Sequence, residues 1–321
     1  MKKIFFILIL TILIKPLTAQ EGIPIYHDYF SDNLYLIHPS MAGASYCGKV
    51  RMTGRMQWFG IEDAPALETL SFHTHLGENA RTGIGAIIFN DKNGYHAQKG
   101  LQLAFAYHLD MGDGAEVNKL SFGIAGTYVQ NQLDETSFDP NNFDPIIAGI
   151  LQSEDYFNMD FGLSYHVENF FFNFTLKNAL LMNRPLYSEY EPQNLRNYVG
   201  SIGYFFGRND FHVEPSFFVQ YKEFSQQLIM DQNLKFYFDI SPLNQIYFGA
   251  SYRREFSDSN YTFHNLTPII GARIGKFVAA YTYTYELSDN PISNSGFHQI
   301  TLGYNFNCIR PVARIKCPQL N

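Results

Sequence analysis

Little in this sequence points to chemistry. Of 321 residues three are cysteine and one is tryptophan, and beyond Ile14 no apolar run reaches the roughly 20 residues that a spanning helix needs. Helical insertion of the mature chain is therefore excluded. Lys and Arg number 23 against 30 Asp and Glu, a net charge of −7. Without a basic run to neutralise phosphates, the chain has no nucleic acid among its expected partners. No Pro/Ser/Gly-rich linker or low-complexity stretch divides it, so one domain is expected. There is no glycine-rich phosphate loop, and no cofactor is expected.

What is abundant is apolar and aromatic: 46% of residues are hydrophobic and 17% aromatic, with Phe 30 and Tyr 22. These residue types favour strands and suit the two interfacial girdles of a membrane barrel, although composition alone also allows a soluble β-sandwich. The first residues, with Lys2 and Lys3, an apolar core from Ile4 to Ile14, and Leu17-Thr18-Ala19 before Gln20, have the pattern of a cleavable signal peptide over 1–19. No cysteine stands at the expected cut, so an exported, unlipidated chain is expected.

From Arg51 onward, segments of about ten residues alternate in character between turn-forming clusters, the signature of a transmembrane barrel. Ile300, Leu302, Tyr304 and Phe306 alternate with Gln299, Thr301, Gly303 and Asn305, and Leu101, Leu103, Phe105 and Tyr107 with Gln102, Ala104, Ala106 and His108. One face suits lipid and the other a lumen. The turns predict strands near 51–59, 66–75, 81–90, 98–109, 118–131, 157–166 and 169–177, then 195–206, 209–222, 227–240, 243–256, 264–274, 275–286 and 296–307. An all-β, antiparallel outer-membrane barrel of about fourteen strands over 51–307 is the fold expected. Tight-turn residues (Gly77-Glu78-Asn79, Val167-Glu168-Asn169, Gly207 to Asp210, Ser241 to Asn244, Gly275-Lys276) fall at every second connection and should face the periplasm. The longer Leu133–Tyr156, Asn178–Asn194, Ser257–Phe263 and Leu287–Ser295 connections should face outward. Outward Phe and Tyr on nearly every strand would aggregate a soluble sandwich, whereas a lipid face needs them.

Residues 20–50 precede the barrel and include the apolar Tyr35 to Gly43, expected either to plug the lumen or to form a periplasmic segment; 308–321 form a periplasmic tail. Three cysteines in an oxidising compartment predict one disulfide. Cys47 with Cys308 is the first choice, because a closed barrel brings the start of its first strand beside the end of its last; Cys308 with Cys317 is the alternative.

Candidates for chemistry are weak. His73 and His75 share a strand face but lack a recognisable third metal ligand, and are read as lumen or girdle residues. His298, with Ser295 nearby, is read as a lumen or rim residue, the spacing being too loose for a catalytic pair. Asp91-Lys92-Asn93-Gly94 resembles the start of a calcium loop without its bidentate glutamate and is read as a turn. Arg253-Arg254-Glu255, with Arg51 and Arg55, is expected to form a charged lumen network. No enzyme is expected.

Tyr35 to Gly43, then Arg55-Met56-Gln57-Trp58-Phe59-Gly60 with Ala64-Pro65, then Gly83-Ile84-Gly85 with Asn90-Asp91 and Gly94, resemble successive signatures of the PorP/SprF family. Gly249 to Arg253 and Gly296-Phe297-His298-Gln299-Ile300 resemble its closing motifs, with Phe297 and Gln299 replacing the usual serine and glutamate. The resemblance implies an outer-membrane component of the type IX secretion and gliding system of Bacteroidota, with a fatty-acid-transporter-like barrel. It implies as partners a secreted adhesin or other client recognised by its carboxy-terminal signal, the periplasmic ring lipoproteins, and outer-membrane lipids. The outward loops, through Phe138, Phe143, Ile146, Ile147, Glu189 and Tyr190, are the expected client-binding surface. A channel for small apolar solutes is the alternative function, and predicts a ligand-sized apolar cavity.

Overall fold

In a computed structural model, which describes residues 30, 33–57, 64–77, 81–112, 117–136, 150–181, 195–208, 210–256, 263–287 and 296–308, the alternating segments pair in sequence order around a closed antiparallel barrel. The strands are β1 Gly48–Gln57, β2 Ala66–Leu76, β3 Thr82–Asn93, β4 His96–Asp110, β5 Asn118–Asp134, β6 Leu151–Val167 and β7 Phe170–Lys177. They continue as β8 (Asn197–Tyr204, then Phe206–Arg208), β9 Phe211–Lys222, β10 Gln227–Ser241, β11 Asn244–Phe256, β12 Phe263–Ile274, β13 Phe277–Glu286 and β14 Phe297–Phe306. The first and last strands close the ring, with Gly48 opposite Phe306 and Gln57 opposite Phe297.

Two ladders are interrupted where proline leaves no N–H to donate. The β8–β9 pairing breaks between Gly203↔Ser216 and Phe206↔Val213, at Pro215. The β12–β13 pairing skips from Leu266↔Tyr285 to Ile269↔Thr282, at Pro268. The register resumes unshifted in both cases, because the other neighbours of β9 and β12 hold them in line.

The pleat sorts the side chains as the alternation predicts. Ile300 is 57% exposed and Leu302 48%, while Thr301 between them is 1% exposed. Large apolar side chains are thus the exposed ones and polar side chains the buried ones, the reverse of a soluble protein and the arrangement that lipid demands. Among the described residues no helix is long and apolar enough to cross a membrane. The short turns include Glu168-Asn169, Pro242-Leu243 and Gly275-Lys276, and both chain ends of the barrel lie on their side, the periplasmic side by the usual rule for such barrels.

Two local expectations, the start of β6 and the placement of Arg254, are corrected. β6 begins at Leu151 rather than near 157, because its outer part pairs fully with an equally long β5. The β3–β4 and β9–β10 connections, also on the outward side, are short, and the turn expected at Asp91 to Gly94 closes the β3–β4 hairpin, with Gly94 at a positive φ of 59°. Arg254 is not in the lumen: it is exposed on the outward face, with its guanidinium over the Phe256 ring at 4.9 Å.

Candidate functional site

Phe30 and Asn33–Cys47 lie within the barrel. Two single turns of 3-10 helix, Leu34–Leu36 and Pro39–Met41, are fully buried. An apolar segment inside a polar lumen must have its backbone and polar side chains satisfied by the wall, and the wall supplies partners from many strands. Asn33 donates to Ser71 Oγ at 2.8 Å, and His38 bonds Thr175 Oγ1 at 2.8 Å and Ser201 Oγ at 3.1 Å. Ser40 meets Ser164 at 2.6 Å, Gly43 N–H donates to His73 Nδ1 at 3.1 Å, and His108 Nε2 donates to the Ala42 carbonyl at 2.9 Å. Lys119 and Lys177 reach the carbonyls of Ala44 and Leu36 at 3.2 and 3.5 Å. Burial, then the neighbouring Lys177 and His166, pushes the His38 imidazole down to about 3, so it is neutral between its two hydroxyl partners.

The wall is also carved to fit. A Cβ on Gly83 would stand 1.9 Å from the Ala42 carbonyl oxygen, and one on Gly123 2.2 Å from the Ser40 nitrogen. Only glycine lets the segment approach this closely. Most of these contacts lie near the short-turn ends of the strands, so the segment fills the periplasmic half. At that rim Cys47 is bonded to Cys308, 261 residues away in sequence, beside the β1–β14 closure.

Above the segment the lumen sets paired polar groups beside an apolar patch of Phe89, Val129 and Tyr156. Gln102 donates to Asp160 at 2.7 Å and Lys177 pairs with the same carboxylate at 3.5 Å, beside a recess of about 490 Å³ that Leu36, Phe89 and Tyr156 also line. A second recess, of about 470 Å³, is bordered by Arg55 and by Arg253, whose guanidinium holds Asp231 through two bonds of 2.5 and 2.6 Å.

His73 and His75 both face inward, spent on Gly43 and on the backbone of Gly77 and Asn307. Among the described residues no cluster of three metal-binding side chains is present. His298 faces outward, where it bonds the Tyr281 hydroxyl at 2.8 Å in the aromatic girdle. Phe138, Phe143, Ile146, Ile147, Glu189, Tyr190, Ser295 and Cys317 lie outside the described residues. Sequence reasoning missed the wall side of the plug contact. Its signal was present: Gly83, Gly85 and Gly123 stand at inward positions of strands whose outward positions are large and apolar.

A family signature described as type IX secretion system membrane protein PorP/SprF matches residues 18–304. The chain belongs to the PorP/SprF family. As a family member it is an outer-membrane component of the type IX secretion system. No curated protein matches the sequence. Among solved structures, the β-domain of the Bordetella autotransporter BrkA is similar at 13% identity and a TM-score of 0.40, over 81% of this chain and 98% of that one. BamA of Haemophilus ducreyi lacking POTRA domains 1–3 is similar at 9% identity and a TM-score of 0.42, over 81% of this chain and 70% of that one. In this PorP/SprF chain a filled periplasmic half is paired with long connections leaving the opposite side.

Proposed function

We propose that this chain is a non-catalytic outer-membrane receiver that holds a secreted surface protein, recognised through its carboxy-terminal signal, on the cell exterior. The observation that carries the reading is the filled lumen. With Asn33–Cys47 hydrogen-bonded around the wall and tied by Cys47–Cys308, the barrel offers a partner its outer rim rather than an open pore. The connections between β5 and β6 and between β7 and β8 leave from that rim, and their sequences include Phe138, Phe143, Ile146, Ile147, Glu189 and Tyr190, a mixed apolar and acidic set suited to a protein partner. Periplasmic ring lipoproteins are the partners for the short-turn side. Residues 1–19 direct export and are removed after Ala19.

The test is deletion of residues 137–149 or 182–194 with the strands intact. Protease shaving of whole cells is expected to find the client lost from the surface while the barrel still migrates as a folded band. Retention of the client in both deletions would refute the reading. The solute-channel alternative keeps one support, the apolar Leu36, Ile87, Phe89, Val129 and Tyr156 side of the larger recess, and predicts a small apolar ligand bound there.

A further inference from the structure

Strands β5 and β6 have 17 residues each, but β7 has 8. At a tilt of about 40°, 8 residues rise roughly 20 Å and 17 roughly 45 Å, against an apolar band about 25 Å tall. All three begin together at the short-turn side, where Val167 pairs with both Asn118 and Phe170. The outer part of β6 therefore stands above the membrane, past the point where its β7 neighbour ends.

The departure of β7 is built in. The Asp160 carboxylate accepts the Asn178 N–H at 2.8 Å, and the Asn158 side chain accepts from Leu180 N–H at 3.0 Å and donates to its carbonyl at 3.2 Å. Asn178 takes a positive φ of 52°. Two inward side chains thus turn the chain away from β6 at residues 178–180, and among the described residues the last backbone contact is Ala179 N–H to the Met159 carbonyl at 2.8 Å.

Which atoms are left at this edge follows from the ladder. Glu168 N–H donates to the Val117 carbonyl at 2.7 Å, and Glu135 N–H to the Ile150 carbonyl at 3.3 Å, so even-numbered residues of β6 bond toward β5. Odd-numbered residues bond the other way, as Met159 does. Leu151, Ser153, Asp155 and Phe157 consequently aim N–H and C=O at an edge that pairs with no strand among the described residues. Natural barrels abolish such edges, and an open one is a template for strand addition.

We propose that the Leu151–Phe157 edge of β6 takes an extended segment of the client as an added strand, with a Lys or Arg of that segment beside Asp155. This rests on the receiver reading and names how the partner is held. Charge decides the occupant. Asp134, Glu135, Glu154 and Asp155 gather at this tip, so a second copy pairing edge to edge would set carboxylates against carboxylates. Residues 182–194 of the chain itself carry Pro185 and Pro192, which lack the N–H a ladder needs, and Glu189 and Glu191 outnumber their one cation, Arg184, which directly precedes Pro185.

The test compares full-length Ser153→Pro and Ser153→Ala in outer membranes of cells making the client. Proline removes one outer-edge N–H and leaves the β5 ladder intact, whereas alanine keeps every backbone group. The proteins that co-purify with the unmodified chain should fall at least tenfold with Ser153→Pro and be unchanged with Ser153→Ala, both barrels assembling. In the unmodified complex, amide exchange at residues 153 and 155 should slow at least tenfold, while the even-numbered amides, already bonded to β5, change little. Partner retention by Ser153→Pro, or slowed exchange in the chain without partner, would overturn the inference and leave the receiver reading standing. Absence of any co-purifying client with the unmodified chain would overturn both.

Discussion

Replacing Gly83 by alanine tests whether the lumen wall holds the amino-terminal segment. The added Cβ would lie 1.9 Å from the Ala42 carbonyl oxygen and 2.8 Å from Gly43 Cα, and the obstacle is backbone, so no side chain can swing aside. The segment must retreat by more than 1 Å or so to restore van der Waals contact. That retreat breaks the His108 to Ala42 bond of 2.9 Å and the Gly43 to His73 bond of 3.1 Å. Two buried pairs left unmade cost about 1–3 kcal/mol each, or roughly 2–6 kcal/mol together, the scale on which local docking is decided. Gly54→Ala is the matched control, since a Cβ there meets nothing within 4 Å. Amide exchange over residues 34–44 should speed by at least tenfold in Gly83→Ala, and planar-bilayer conductance should rise, with Gly54→Ala like the parent. Equal exchange and conductance in all three proteins would refute the reasoning.

Acid should loosen the same segment. The His38 imidazole titrates near its ordinary 6.5 when released and at about 3 when docked, so the released state binds more protons in between. Docking is fully favourable above about 6.5 and weakens by up to about 1.4 kcal/mol per unit as pH falls toward 3; His38→Gln should flatten the rise in conductance between pH 7 and 4. Cys47→Ser should lower the temperature at which the folded band melts on gels, by the equivalent of about 2–5 kcal/mol, and reductant should do the same to the parent protein only. Asp231→Ala, which removes the carboxylate that holds the buried Arg253 guanidinium through two bonds, should cost about 3–5 kcal/mol in urea unfolding, and Asp231→Leu with Arg253→Met together should cost less than Asp231→Ala alone.

The strand order and the inward and outward sorting were legible in the sequence because a period of two is written into every strand. Ile300, Leu302 and Tyr304 declare a lipid face without reference to anything distant. Where a polar or charged side chain sits at the end of a strand, the same rule says less, since interface and lumen both accept it. For that reason the sequence reading puts Arg254 in the lumen and leaves His298 between lumen and rim, and the ladder turns both outward. The early start of β6 was hidden because Gln152 to Asp155 is polar on both faces, as a strand standing in water is allowed to be. Nor could sequence tell that Asn158 and Asp160 would divert the chain after Lys177, since they act on residues about twenty positions away through a contact that only pairing creates.

The central claim, that this PorP/SprF barrel holds a secreted surface protein, is tested most directly by purifying the tagged chain from outer membranes in mild detergent and identifying what accompanies it by mass spectrometry. A large secreted surface protein recovered in constant ratio to the barrel is the expected result. A barrel that emerges alone with bound lipid would contradict the account and return the solute-channel reading.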